Sequence, residues 1–293
     1  MLYNFIRGRV CTPQDLVKED VWRGIARRLA EWHSVPLPSS YYPEITANGI
    51  NGTYTNGHAA AKKKPMPNIW TIMQKWIDAL PTGTSAEQKR KSQLQAELER
   101  SSQGLDVTAS SGDPGMIFGH CDLLSANVII LPNGRTTNAS NAGKSETVRF
   151  IDYEYATACP AAFDIANHFA EWGGYDCDYT MLPTRSVRQD FLEEYLTSLS
   201  TSSPTTKAND DDDDDDAVHT MLKQVDDFRG IPGLYWGIWA LIQATISQID
   251  FDYTSYAEVR LGEYFAWRAE TDGVRKAEGR EMPLRELCWA KAQ

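Results

Sequence analysis

The stretch Met-Ile-Phe-Gly-His-Cys-Asp-Leu-Leu-Ser-Ala-Asn at residues 116–127 decides how the rest of the chain is interpreted. A short apolar run at 128–131 follows it, then a Pro-Asn-Gly turn, and then Val-Arg-Phe-Ile-Asp-Tyr-Glu-Tyr at 148–155. Apolar runs on either side of a turn predict the two strands of a hairpin. Polar residues stand close to where these predicted strands begin and end, namely Asp122, Asn127 and Asp152.

The spacing of these polar residues indicates phosphoryl transfer. A His-x-Asp followed by four residues and an Asn is the pattern of the catalytic loop in kinase-type enzymes. Asp122 would accept the proton of an attacking hydroxyl, and Asn127 would reach a magnesium ion. Asp152 would bring another oxygen ligand, and Glu154 would share its strand face because side chains alternate along a strand. Taken alone, however, Asp and Asn beside turns are also ordinary turn formers.

Three segments together resemble the choline/ethanolamine kinase family, and they are more similar to its ethanolamine kinase branch. They are His-Cys-Asp-Leu-Leu-Ser-Ala-Asn at 120–127, Phe-Ile-Asp-Tyr-Glu-Tyr-Ala at 150–156 and Phe-Asp-Ile-Ala-Asn-His-Phe-Ala-Glu-Trp at 163–172. The resemblance covers most of positions 1–35 and 116–270. It implies an α+β, mostly helical, protein-kinase-like fold, chiefly the C-terminal lobe of that fold.

The resemblance also implies a reaction, which is transfer of the γ-phosphoryl group of ATP to ethanolamine as the first step of phosphatidylethanolamine synthesis. Asp122 falls on the family's catalytic base. Asn127, Asp152 and Glu154 fall on its magnesium-site residues, so that ATP and Mg²⁺ are the expected cofactors. Two alternatives stay open: choline or another small alcohol as the acceptor, and a non-catalytic fragment that binds an amino alcohol.

The family's pocket for the ammonium group of the substrate falls on Glu171, Trp236, Trp239 and Tyr256. Aromatic faces attract ammonium groups by a cation–π interaction worth about 0.5–2 kcal/mol. Trp236 and Trp239 could equally be plain core residues, and Glu171 could be an exposed helix carboxylate. Cys177 stands about where choline kinases tend to carry another aromatic residue, which favours a primary amine as the substrate.

The predicted helix near 163–172 carries two further polar residues. Asp164 is either a helix cap or, by the resemblance, an internal acid that hydrogen-bonds the backbone of the catalytic loop. Both interpretations predict structural support and no chemistry. His168 is expected to be a core histidine with its hydrogen bonds satisfied.

Residues 1–11 predict a short strand that ends in a Gly turn, and the resemblance makes them a remnant strand and the connection between two lobes. The backbone near Phe5 and Ile6 would then meet the adenine of ATP. A smaller lobe with a phosphate-covering loop normally precedes this connection, so we expect the chain to lack most of its N-terminal lobe. Thr-Pro-Gln-Asp at 12–15 predicts the start of a helix that runs to about Trp32.

Residues 12–293 are predicted to form the helical lobe, with flexible insertions near 38–66, 133–146 and 201–216. The last insertion contains seven consecutive Asp, whose mutual repulsion predicts a disordered loop. Hydrophobic periodicity predicts helices at 68–80, 85–102, 186–200, 233–250 and 254–270. The helix at 85–102 is expected to be solvated because its apolar stripe is thin, and the apolar helix at 233–250 is expected to be buried.

Composition limits the classes of partner. Seven units of the net charge of −11 come from the Asp run, so acidity says little about partners, and nothing indicates a nucleic-acid surface. The five Cys show no paired spacing, which favours reduced thiols and a cytoplasmic protein. No apolar stretch approaches 18 residues, so no membrane span is expected. A homodimer stays open.

Overall fold

Helices dominate the protein, and its strands form two small sheets. The computed structural model describes residues 5–37, 67–105, 115–132, 145–202 and 211–293. The helices are α1 (Pro13–Leu16), α2 (Glu19–His33), α3 (Ile69–Ala79), α4 (Ser85–Gly104), α5 (Ala161–Ala170), α6 (Arg185–Ser202), α7 (Asp211–Phe228), α8 (Ile231–Ile246), α9 (Tyr253–Thr271), α10 (Val274–Ala277) and α11 (Leu284–Trp289). The strands are β1 (Arg9–Val10), β2 (Met116–Gly119), β3 (Val128–Ile130), β4 (Val148–Phe150) and β5 (Thr157–Pro160). The expected α+β, mostly helical fold is confirmed.

The sheets bring the ends of three strands together at one place. One sheet has the order β1-β3-β4, and the other pairs β2 with β5, all antiparallel. The predicted hairpin is confirmed, since Val128 lies opposite Phe150. Just beyond that pair, the amide of Ile151 donates to the carbonyl of Asn127 at 3.0 Å. The end of β4 is therefore fixed beside the start of β3, and the residues that follow β2 lie next to both.

The tip of this hairpin is more ordered than predicted where the structure describes it. Residues 133–144 of the predicted insertion lie outside the described part, as do 38–66. Ser145, at the end of that insertion, is fully buried. The amide of Glu146 donates to the carbonyl of Asp20 at 2.7 Å. This bond ties the hairpin to α2, so the prediction of a loose loop was wrong for these two residues.

The N-terminal segment differs from its prediction in two ways. The strand covers Arg9–Val10 alone, and 1–4 lie outside the described residues. The predicted capping box at Thr12 and Asp15 is confirmed, with Pro at the first helical position. However, α1 ends at Leu16 because Lys18 adopts an extended backbone, and its ammonium binds Asp15 at 2.7 Å. A new helix, α2, then runs to His33, so the single predicted helix is two helices.

The burial of the apolar stripes agrees with the prediction for α2 and differs from it for α4 and α8. Val21, Ile25 and Leu29 of α2 are buried, and α2 packs along α6. Helix α4 was predicted to be solvated, but its stripe of Leu94 and Leu98 is buried. Helix α8 was predicted to be buried to residue 250, whereas it ends at Ile246 and its last turn is exposed. The thin stripe of α4 finds neighbours on α3, which local periodicity does not reveal.

The acidic run is helical where it is described. Residues 203–210 lie outside the described part of the chain, but Thr201 and Ser202 belong to α6 and Asp211–Asp216 open α7. The predicted loop at 201–216 was therefore wrong at both ends.

Helices α8 and α9 pack closely because α8 carries small residues at the contact. A Cβ atom at Gly233 would lie 2.6 Å from the carbonyl oxygen of Arg260. Close packing at this point brings the Arg260 side chain into the interior, where it is 1% exposed. None of the helices in the described part of the chain is both long and apolar enough to cross a bilayer.

We expect Gly233→Ala to lower the free energy of unfolding by about 1–3 kcal/mol, because the new methyl group must push α8 away from α9. Urea denaturation measures this change. Gly262→Ala on α9 is the matched control, since a Cβ atom there meets nothing within 4 Å. That control should be neutral or stabilising by up to about 1 kcal/mol, because Ala is the better helix former. Equal behaviour of the two variants would contradict the close-packing argument.

Candidate active site

Asp122 and Asn127 lie side by side at the start of the hairpin. After β2 ends at Gly119, Cys121 takes a left-handed backbone with φ of 61° and turns the chain towards Asp122. Ser125–Asn127 form one 3-10 turn that leads into β3. The Nδ2 group of Asn127 donates to the Asp122 carbonyl at 2.8 Å and to its carboxylate Oδ2 at 3.1 Å. The amide nitrogen thus fixes Asp122, and the amide oxygen of Asn127 is the atom available to a metal.

Asp152 and Glu154 approach the same place, but not along a strand. Strand β4 ends at Phe150, and Asp152 has a left-handed backbone with φ of 64°. The prediction that Asp152 and Glu154 share a strand face was therefore wrong. The ring of His120 donates through Nε2 to the carbonyl of Ile151 at 3.0 Å, immediately before Asp152. This hydrogen bond joins the segment after β2 to the segment after β4.

The carboxylate of Asp122 has an electrostatic environment that favours a cation. Burial raises the pKa of Asp122 to about 8, and the charges of Glu171, Asp152 and Glu154 add to the shift. The hydrogen bond from Asn127 opposes it. Nearby like charges disfavour the ionised form of a carboxylate, and a bound cation reverses that effect. The oxygens of Asn127, Asp152 and Glu154 are of the hard kind that magnesium prefers, so the residues present fit this ion.

Asp164 on α5 holds the backbone of the predicted catalytic loop, residues 120–127. Its Oδ2 accepts the amide of His120 at 2.8 Å, and its Oδ1 accepts the amide of Cys121 at 2.7 Å. His33 at the end of α2 donates through Nε2 to Oδ2 at 2.9 Å. Burial alone would raise the pKa of Asp164, but the hydrogen bond and charge of His33 outweigh it and lower the pKa. Helix α5 begins after Pro160, so Asp164 is the internal acid and not the cap.

Two neighbours of Asp164 on the same helix complete this support. Asn167 donates through Nδ2 to the carbonyl of Cys121 at 3.0 Å and accepts the indole N–H of Trp236 at 2.9 Å. His168 donates through Nδ1 to the carbonyl of Leu123 at 2.8 Å. His168 is the satisfied core histidine that was expected. Asn167 was missed in the sequence; the one signal for it was its position one turn after Asp164 on the same helix face.

Glu171 is buried, not exposed, and it already has a cationic partner. Its Oε1 binds Nη2 of Arg260 at 2.9 Å, and Nε of Arg260 lies 3.5 Å from Glu263. Burial raises the pKa of Glu171, and Arg260 opposes the shift. Cys177 lies beside the same guanidinium, with Nη1 3.9 Å from its sulfur. Arg260 was missed in the sequence. It lies four residues after the predicted pocket residue Tyr256 on the last long helix, so the two share a helix face.

The two predicted tryptophans belong to an aromatic cluster that reaches the catalytic loop. The rings of Trp236 and Trp239 are 5.4 Å apart and nearly perpendicular. Tyr155 packs edge-on against both, at 5.4 Å and 6.3 Å. The indole N–H of Trp239 donates to the Tyr155 hydroxyl at 2.9 Å. Tyr155, which sequence reasoning missed, directly follows Glu154, so the cluster begins one residue after the candidate metal ligands.

The remaining predicted residues are Tyr256, Phe5 and Ile6. Tyr256 is half-buried on α9, and the Arg260 guanidinium lies over its ring at 5.8 Å. Phe5 is 91% exposed and Ile6 is half-buried, and Arg7 and Gly8 separate them from β1. The contact of these two residues with adenine remains a prediction.

The chain was also compared with known proteins. The choline/ethanolamine kinase family matches residues 1–265. Ethanolamine kinase 1 of Mus musculus is 31% identical over 285 residues, which cover 95% of this chain and 68% of the mouse protein. Ethanolamine kinase 1 of Homo sapiens is 30% identical, over 95% of this chain and 55% of the human protein. The chain thus spans between about half and two thirds of the length of these two relatives.

A solved structure also shares the fold of this chain. The solved structure of an ethanolamine kinase from Plasmodium vivax matches with a TM-score of 0.64 over 89% of this chain and 63% of that chain. At 22% sequence identity this likeness establishes the shared fold. Together with the match over residues 1–265, it means that the chain belongs to the choline/ethanolamine kinase family.

Proposed function

We propose that this protein transfers the γ-phosphoryl group of ATP to ethanolamine, as the first step of phosphatidylethanolamine synthesis. The observation that carries the proposal is the position of Asp122. Its carboxylate accepts a hydrogen bond from the amide of Asn127, and burial and the charges of Glu171, Asp152 and Glu154 raise its pKa. Asp152 and Glu154 are predicted metal ligands, and Glu171 belongs to the predicted amine pocket. A base close to both a metal site and an ammonium site suits phosphorylation of an amino alcohol.

The roles of the residues follow from this arrangement. Asp122 accepts the proton of the substrate hydroxyl. Asn127 orients Asp122 through its Nδ2 hydrogen bonds and offers its amide oxygen to the metal, together with Asp152 and Glu154. These residues would hold magnesium, which would supply positive charge that offsets the charge of the phosphates. The backbone near Phe5 and Ile6 meets the adenine.

Glu171 and the aromatic cluster decide which amine is bound. A primary ammonium group has three N–H donors and needs acceptors, which the Glu171 carboxylate provides. A quaternary ammonium group has no donor and depends on aromatic faces alone. We therefore propose ethanolamine as the preferred substrate, and the small side chain of Cys177 supports this preference. Choline is the alternative acceptor.

The deciding experiment is an assay of the purified chain with Mg-ATP, with ethanolamine and choline in parallel and with Asp122→Asn as the blank. Formation of phosphoethanolamine above the blank supports the proposal. Faster phosphorylation of choline would make choline the substrate. Transfer to neither, with ethanolamine binding seen by calorimetry, would overturn the proposal in favour of a non-catalytic amino-alcohol-binding protein.

We also propose that the protein acts in the cytoplasm. All five cysteines are free thiols. Free thiols are typical of a reducing compartment. A fusion of the chain to a fluorescent protein that accumulated in another compartment would contradict this assignment.

We expect Trp239→Leu to raise the KM for ethanolamine by about 2- to 30-fold with little change in kcat, since the cation–π interaction is worth about 0.5–2 kcal/mol. Trp239→Phe is the matched control because it keeps an aromatic face and loses only the hydrogen bond to Tyr155. Initial-rate kinetics at saturating Mg-ATP measure both effects. An unchanged KM in Trp239→Leu would remove Trp239 from the pocket.

A further inference from the structure

Two cysteines face each other directly behind the catalytic loop. The sulfur atoms of Cys121 and Cys159 are 3.7 Å apart, and both residues are fully buried. Cys121 immediately precedes Asp122 in the loop. Cys159 lies on β5, opposite Ile117 of β2. The pair therefore joins the loop to the neighbouring strand, and the proposed reaction uses neither thiol.

The surroundings hold the two thiols together. A Cβ atom at Gly119 would collide with the sulfur of Cys159, so the absence of a side chain there makes room for the thiol. The Asp164 carboxylate is the third potential metal ligand near the pair, all ligand atoms lying within 4.8 Å. However, Asp164 already accepts hydrogen bonds from His120, Cys121 and His33. Because that carboxylate already has these partners, the described residues offer the pair fewer than the four ligands of a structural zinc site. A bond between the two sulfurs is therefore the more favourable chemistry.

We propose that Cys121 and Cys159 form an oxidisable pair whose disulfide disables the catalytic loop; the loss of activity, though not the bond itself, rests on the proposed function. The oxidant is a hydroperoxide. One thiol loses its proton, the thiolate attacks a peroxide oxygen and the O–O bond breaks, so that a sulfenic acid forms and the departing hydroxide takes up the proton as water. The second thiol then attacks the sulfenic sulfur and a second water leaves. Two thiols and one peroxide thus give one disulfide and two waters.

The bond would displace the residue next to the proposed base. A disulfide has an S–S length of about 2.05 Å, so the sulfurs must approach by about 1.7 Å from 3.7 Å. Cys121 has little freedom to absorb this movement, because Asp164 binds its amide and Asn167 its carbonyl. Strain at Cys121 therefore passes to Asp122. A displacement of about 1 Å at a reacting group costs on the order of 100-fold in rate.

The test uses the reduced chain, Cys159→Ala and Cys288→Ala, each treated with hydrogen peroxide and then alkylated. Cys288 is also buried and serves as the matched control. Peptide mass spectrometry should find a peptide joining 121 to 159, with the loss of two hydrogens, in the unaltered chain and in Cys288→Ala. Phosphoryl transfer in these two samples should fall at least tenfold and return with dithiothreitol. Cys159→Ala should show neither change.

The readouts separate this proposal from the proposed function. The cross-linked peptide is measured without any assay of activity, so an inactive reduced chain leaves this part of the test intact. Backbone amide exchange of the peptide around 119–124 should also change on oxidation in the unaltered chain and in Cys288→Ala, but not in Cys159→Ala. Absence of the cross-link, or equal loss of activity in Cys159→Ala, overturns the proposal. Cys159→Ser replaces Cys159→Ala if the thermal unfolding midpoint shows that the alanine variant does not fold.

Discussion

Replacement of Asp122 by Asn is expected to lower kcat for ethanolamine phosphorylation by about 10²- to 10⁴-fold, the usual contribution of a general base. The Asn side chain has nearly the same shape but cannot accept the hydroxyl proton. The KM for ethanolamine should change little, because the proposed function assigns the amine to Glu171 and the aromatic cluster. Initial-rate kinetics with Mg-ATP measure both constants.

The stability of the same variant distinguishes a catalytic role from a structural one. Burial and three neighbouring carboxylates raise the pKa of Asp122 to about 8, which means that the ionised form is disfavoured in the fold. A neutral amide removes this repulsion, so the thermal unfolding midpoint of Asp122→Asn should be unchanged or higher. Asp190→Asn, at an exposed position, is the matched control and should alter neither rate nor midpoint. A fall in kcat of less than tenfold would remove Asp122 from the role of base.

Asp164→Ala should have the largest effect on the fold, a loss of about 3–5 kcal/mol of unfolding free energy, because three buried donors would lose their acceptor. The carboxylate accepts three donors: the amides of His120 and Cys121 and the ring of His33. All three donors would remain buried without it, and each unsatisfied group costs about 1–3 kcal/mol. Urea denaturation of the purified variants measures the change.

Asp164→Asn is the informative comparison. Its amide oxygen can still accept one backbone N–H, whereas its NH₂ group faces a donor. We therefore expect the free energy of unfolding of Asp164→Asn to lie between that of the unaltered chain and that of Asp164→Ala. Phosphoryl transfer should fall in parallel, because both amides belong to the loop that carries Asp122. A loss below about 1 kcal/mol in Asp164→Ala would mean that the loop is held by Asn167 and His168 instead.

Short-range patterns predicted the elements that depend on neighbours in sequence. The capping box at Thr12 was confirmed, as was the helix at 68–80, which the structure places at Ile69–Ala79. The hairpin that carries Asn127 was also confirmed. The period-two argument for Glu154 failed because β4 ends at Phe150, and strand ends depend on pairing partners. The loop predicted over the Asp run was wrong at its C-terminal end, because Asp211–Asp216 open a helix that like-charge repulsion alone does not exclude.

By itself, the sequence determined which chemistry is present: the spacing of Asp122 and Asn127, and a second carboxylate after the next strand. Such spacings are local, so the backbone geometry of a few residues suffices to interpret them. The tertiary structure decided the contacts between distant segments. His33 meets Asp164 across 131 residues, and Glu171 meets Arg260 across 89. These contacts form only when α2 packs near α5 and α9 packs against α8. Burial of apolar surface drives that packing and brings the polar groups together.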